Sequence, residues 1–349
     1  MADPRALIRR AGPWGWLARA MTTPSAPTAD LYIANACADW LADGRLHRIG
    51  PTLFATADAQ LVIRHDARAP LGFGRPRSLF LIDDAWWAAG QGLSAWYRLK
   101  TRLVEGGAAR HWLSRAEAVV VSSGAIARGV RERCPAPVHV IDPYWSEPLA
   151  DLAHFDAGPT RLAFLGAQLH GPDLDWIAPV LRHVLDDCPG VTLALSSGHA
   201  LPPPLAGHPS VRRLAPLRWR DWRAALPGMR FHIALYPLQP TPFNAARSRN
   251  KVIEHAIVGA APLVADIWPA GREAAAQGAA IALPHDRPAW EAALRALIAD
   301  RDRQRRIAAA ARDHARRINR PDAQRALWAR LLRPGPVAQK GSTFAGQKR

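Results

Sequence analysis

The chain has 349 residues, with 46 Lys and Arg against 29 Asp and Glu, a net charge of +17 and three cysteines. That length predicts two domains. Cys37, Cys134 and Cys188 are too scattered for a zinc site or a disulfide framework, which fits a reducing compartment. No apolar run approaches the roughly 18 residues of a membrane-spanning helix. Pro13 and Gly15 interrupt the stretch after Arg9 and Arg10, where a signal peptide needs a continuous apolar region.

The positive charge admits three kinds of partner: nucleic acid, an anionic membrane surface or an acidic substrate. The arginines are dispersed, and no zinc-finger or RNP-like pattern accompanies them, which disfavours nucleic acid. Fourteen tryptophans suit base stacking in principle, but Trp86, Trp87, Trp176 and Trp268 sit in apolar or turn contexts that fit a core or a rim. Peripheral contact with an anionic membrane fits better, because each dispersed cation near such a surface adds about 1 kcal/mol.

Residues 1–29, rich in Arg, Pro, Ser and Thr, read as a poorly ordered basic N-terminus. From Asp30 apolar runs alternate with helical patterns. LYIA (31–34), LVIR (61–64), SLFLI (78–82), AVVVSS (118–123) and VHVI (138–141) read as strands, with helices over Leu93–Val104 and Gly124–Cys134. Residues 145–159 read as a linker. A second series follows: strands at 161–166, 191–197, Val211–Leu214, 231–237, 261–265 and 279–284. Its helices are expected at 173–187, Arg218–Leu226, 288–300, 301–318 and 321–332. Strands separated by helices predict parallel sheets covered on both faces. The domain boundaries implied are 30–157 and 158–333, with a disordered tail at 334–349.

In such sheets ligands bind beyond the carboxyl ends of the strands, and the polar candidates gather there. Asp83 and Asp84 follow SLFLI. His65 follows LVIR. Gly166 and His170 lie in the loop after RLAFL. The richest segment is TPFNAARSRNKVIEHAIVGAAPLVAD (241–266), a loop–helix–strand unit. Asn244, Arg247, Ser248, Lys251 and Glu254 cluster at its helix entrance. Cations at a helix N-terminus suit phosphate, and a carboxylate one turn on suits a diol; together they suit a nucleotide sugar. The plainer reading is a solvated face with Glu254 paired to Lys251 at i, i+3. The chain has only four lysines against forty-two arginines, so a lysine here favours the ligand reading. Asp83 and Asp84 read either as an acceptor-binding or proton-abstracting pair or as caps of the following AWW segment. His65 is the rival base. Ser122 and Ser123 read as turn residues, since no Gly-x-Ser-x-Gly elbow is present.

FLGAQLHGPDLDWI, VTLALSSG and IALYPLQPTPFNAARSRNKVIEHAIVGAAPLVAD resemble the C-terminal domain of group 1 glycosyltransferases. These have two doubly wound Rossmann-like domains facing a cleft, the GT-B fold. LIDDAWW resembles the acidic strand end of some members, and SRAEAVVVSSGAIARGV the strand and helix before their interdomain hinge. The resemblance covers about 160–333 well, 78–145 loosely and 1–77 poorly. It implies metal-independent hexosyl transfer from a nucleotide-diphosphate sugar to a glycan or lipid-linked glycan, as in polysaccharide biosynthesis. No cofactor is expected, and the location implied is the cytoplasm or the inner face of its membrane. It places Glu254 on the donor ribose, Arg247 and Lys251 on the diphosphate, and Gly166 where backbone approaches the donor. Where many members carry a second Glu, eight residues before Glu254, this chain has Ala246. That departure keeps a second reading open, a non-catalytic nucleotide-sugar-binding or scaffold protein.

Overall fold

A computed structural model describes residues 26–64, 77–88, 99, 106–166, 170–196 and 200–333. Two six-stranded sheets organise them. The first comprises β1 (His47–Gly50), β2 (Leu53–Ala55), β3 (Ala59–Ile63), β4 (Arg77–Ile82), β5 (Ala118–Val121) and β6 (Val138–Val140), adjacent in that order. From β3 to β6 the pairing is parallel, as in Ile63 opposite Leu81 and Leu81 opposite Val120. β1 and β2 add an antiparallel edge that the periodicity did not predict. HRIG and LFA are too short to show an alternation.

LYIA was expected as a strand. It is instead a π-helical turn, Asp30–Ala34, that continues a helix from Ala26. A four-residue apolar run signals burial, and burial serves a packed helical turn as well as a strand. The expected helix over Leu93–Val104 lies largely outside the described residues.

The second sheet is wholly parallel, ordered β12-β11-β10-β7-β8-β9. Its strands are β7 (Thr160–Leu165), β8 (Val191–Ser196), β9 (Val211–Arg213), β10 (Ile233–Tyr236), β11 (Ala261–Ala265) and β12 (Ile281–Leu283). The chain winds outward from β7 to β9, returns, and winds the other way from β10 to β12. The loops leaving β7 and β10 therefore diverge at one point, where a doubly wound sheet opens a crevice.

Period-two burial divides the apolar residues between faces. In the first sheet Phe80, Val119 and Val121 pack outward with Ile126 and Val130 of the helix Gly124–Arg131. In the second, Phe164, Leu193 and Leu235 pack against Leu174, Ile177 and Leu181 of the helix Gly171–Asp187. Leu79, Leu81 and Val120 join Ala163, Leu165, Ala234, Ile253 and Ile257 in a cluster shared by both halves.

The chain passes between halves twice, and the crossings are tied together. Asn319 Nδ2 donates to the Trp145 carbonyl at 2.8 Å, and Asn319 Oδ1 accepts from the Trp145 amide at 2.8 Å. The final helix, Pro321–Leu331, then returns to the first half, where the Trp328 indole donates to the Tyr32 carbonyl at 2.7 Å. Among the described residues no helix is long and apolar enough to cross a membrane.

Candidate functional site

The carboxyl ends of both sheets open on one cleft of about 690 Å3. Asp83, Asp84 and Tyr32 of the first half line it, with Gly166, His170, Arg247, Ser248, Lys251 and Glu254 of the second. Chain folding thus brings most of the candidates together. Asn244 is the exception. It is buried, and its Nδ2 donates to the Gln239 carbonyl at 3.0 Å, so it braces the loop behind the cleft. His65 lies outside the described residues.

Neither carboxylate at the end of β4 caps a helix. Asp83 accepts from the Thr28 hydroxyl at 2.6 Å and lies 3.3 Å from Arg64 Nε. Asp84 is clasped by Arg64 and by Arg247, the latter at 3.2 Å from across the cleft. Arg64, which the sequence reading passed over for its neighbour His65, ends β3 with φ +58°, a left-handed backbone that an Arg adopts at a cost of order 1–3 kcal/mol. That bend lets one guanidinium serve both aspartates.

The two carboxyls are driven apart. Burial raises the pKa of Asp83 and the adjacent charge of Asp84 adds to it, against Arg64 and Thr28. Burial also opposes ionisation of Asp84, but Arg64 and Arg247 outweigh it and hold its carboxyl below the usual range. Neighbouring carboxylates so separated are suited to different tasks, one exchanging a proton and one staying charged. Tyr32, beside them, has its phenol pushed up by burial and by the charge of Asp83. Ser122 also donates to the Asp83 carbonyl at 2.9 Å. Ser123 caps the helix Gly124–Arg131 by accepting from the Ile126 amide at 3.2 Å and donates to the Ala246 carbonyl at 2.7 Å, joining the halves.

On the second half, the helix Asn250–Ile257 carries Lys251 and Glu254 one turn apart. The i, i+3 pair is formed: Lys251 Nζ donates to Glu254 Oε2 and to the Leu165 carbonyl at the end of β7. Glu254 Oε1 accepts from the Trp222 indole at 3.1 Å. Arg247 lies over the Phe243 ring at 4.5 Å. The pairing alternative and the ligand reading are thus not exclusive, since a paired lysine and arginine still line an open cleft. Gly166 has a packing role. A Cβ there would meet the Phe164 ring at 2.6 Å and His170 Cβ at 3.0 Å, so glycine is what lets Phe164 and His170 pack against this backbone. Ala246 is buried in the first half's outward core, far from a ligand-facing role.

Thr28, Tyr32, Arg64, Asp173 and Trp222 went unmarked in the sequence. Only Arg64 carried a signal there, its place at the end of LVIR. Among the described residues no three His, Cys, Asp or Glu side chains gather as a metal site.

Two Rossmann-like halves around a cleft at their strand ends define the GT-B fold, and solved glycosyltransferase structures share it. WaaG, a glycosyltransferase involved in lipopolysaccharide biosynthesis, superposes with TM-score 0.56 at 12% identity, over 75% of this chain and 79% of its own. HepE of Anabaena, in complex with UDP and glucose, gives TM-score 0.55 at 13% identity over 74% and 72%. TarM gives 0.55 at 9% identity over 74% of this chain and 51% of its own, so the chain spans about half the length of TarM. No family model and no curated protein matches the sequence.

Proposed function

We propose that this chain transfers a hexosyl unit from a nucleoside-diphosphate sugar to a hydroxyl of a glycan or lipid-linked glycan. The observation that carries it is the single cleft with two carboxylates on one wall and an arginine and a lysine on the other. In this reading Arg247 and Lys251 bind the diphosphate and Glu254 the ribose. The bond from the anomeric carbon to the diphosphate oxygen breaks, and its electron pair stays with the leaving group, facing the two cations. The acceptor oxygen bonds to the anomeric carbon, and its proton passes to Asp83. Asp84, held charged, orients Arg64 and Arg247. HepE was solved with UDP and with UDP-glucose, which supports a nucleotide-sugar donor for a cleft of the same fold. The net charge of +17 supports peripheral contact with an anionic membrane at the cytoplasmic face.

Lys251→Gln keeps a donor for Glu254 while removing the charge. Calorimetry with UDP-, GDP- and dTDP-sugars should show binding of at least one by the native chain. The variant should lose about 10- to 100-fold in affinity, the worth of a charge-assisted bond. An unchanged dissociation constant sinks the donor assignment. The alanine at 246, where many group 1 glycosyltransferases carry a glutamate, favours the second reading, a nucleotide-sugar binder without turnover. Tight binding with no transfer to any glycan acceptor would establish it.

A further inference from the structure

A nucleotide diphosphate held by Arg247 and Lys251 carries its glycosyl unit toward Asp83 and Asp84, so the groups facing that gap must recognise the unit's hydroxyls. Most acceptors there are already engaged. Both oxygens of Glu254 are taken, by Lys251 and by the Trp222 indole. Asp84 is clasped by two guanidiniums. Asn244 faces away, and the Ala246 carbonyl receives Ser123. The hydroxyls of Ser196 and Ser248 line the cleft but rotate between donor and acceptor.

His170 differs, because its polarity is fixed. It lies immediately before the helix Gly171–Asp187, packs beside Tyr236 at 5.3 Å between ring centres, and lines the cleft. Its Nδ1 is 2.7 Å from Oδ2 of Asp173, which is itself buried. The other oxygen of Asp173 accepts from the Gln239 amide at 2.7 Å and from Asn244 Nδ2 at 3.4 Å. One carboxylate therefore fixes the imidazole and pins the loop that leads to Arg247. Burial lowers the pKa of His170, and the nearby Arg247 pushes the same way against Asp173. A neutral ring with its proton on Nδ1 presents Nε2 as an acceptor. His170 shares the lining of the cleft with Asp84 on one wall and Arg247 on the other.

We propose that His170 Nε2 accepts a hydrogen bond from a hydroxyl of the transferred glycosyl unit, with Asp173 as the positioning residue that fixes its tautomer. This rests on the donor reading above and specifies which part of the donor this loop reads.

The test compares UDP with UDP-glucose, GDP with GDP-mannose, and dTDP with dTDP-glucose by calorimetry. His170→Ala should weaken the sugar nucleotide about tenfold, the worth of one hydrogen bond to a buried partner, and leave the free diphosphate within twofold. His170→Gln, which retains an acceptor, should recover part of the loss. Asp173→Asn should weaken the sugar nucleotide likewise and shift the His170 ring nitrogens in a 15N spectrum from one tautomer to a mixture. Equal losses for diphosphate and sugar nucleotide would show a purely structural loop and overturn the proposal, as would no loss for either. Should the native chain bind none of the six compounds, the donor reading itself fails and this inference falls with it. Melting temperatures of the variants confirm that affinities are read on folded protein.

Discussion

At the scale of single residues, the unequal aspartates carry the sharpest expectation. Asp83 is held above the ordinary carboxyl range, near 3.9, first by burial and then by the charge of Asp84. A base works only when deprotonated, so kcat/KM should rise with pH through that raised value. Asp84→Asn removes a negative neighbour and leaves Arg64 to Asp83 alone. Both changes favour the ionised form, so the acid limb should move to lower pH. A pH profile of kcat/KM in the variant checks this, and an unmoved limb excludes Asp83 as the titrating base. Arg64 shows why the pair was only half legible. Its place at the end of LVIR shows in sequence but its left-handed turn does not, and its value lies in where the turned guanidinium lands.

At the scale of elements, the helix–strand unit that carries Lys251 and Glu254 depends on how its helix ends. Gly259 has φ +73°, and a Cβ there would lie 2.8 Å from both Ala150 Cβ and His154 Cε1. The left-handed turn alone costs an L-residue roughly 1 kcal/mol, and the contacts involve well-packed side chains. Gly259→Ala should therefore destabilise the protein by about 2 kcal/mol or more, near the upper range of ordinary point substitutions. It should also weaken donor binding, because the same turn sets the helix against β11. A denaturant melt measures the first effect; a loss under about 0.5 kcal/mol would mean that the segment from Ala150 to His154 yields easily. Glycine followed by an apolar run made this element readable in sequence. The hairpin β1–β2 was not readable, being held by its neighbour β3 more than by any pattern of its own.

At the scale of the molecule, two buried histidines set the acid limit. Burial pushes His255 down to about 3, with Lys251 adding to it, and among the described residues neither ring nitrogen of His255 has a hydrogen-bond partner. His232, buried just before β10 with its Nδ1 accepting from the Arg161 amide at 3.0 Å, is also pushed down to about 3, by burial and by Arg301. The unfolded chain takes up a proton at each below about pH 6.5, while the native protein does not until near pH 3. Stability is thus full above 6.5 and falls as pH drops, each site adding up to about 1.4 kcal/mol per pH unit. Urea melts between pH 7.5 and 4.5 should show the decline, and His255→Leu should flatten it. An equal decline in the variant would assign the acid sensitivity elsewhere, for instance to the carboxylates of the interdomain ion pairs.

The sequence by itself determined the α/β alternation, the all-parallel second sheet and the segment that supplies Arg247, Lys251 and Glu254. Those features are written in local terms: apolar runs of strand length, helix periodicity and glycine stops within a few residues of one another. Only the tertiary structure decided which charges meet. Asp84 and Arg247 stand 163 positions apart, and nothing local relates them. Ala246 reads as a missing ligand in sequence and proves to be core, because the loop that bears it packs on the opposite half. The partner of His170 is local, since Asp173 lies three residues on, but the Gln239 amide that holds the other oxygen of Asp173 comes from 66 positions away, and no local pattern relates the two.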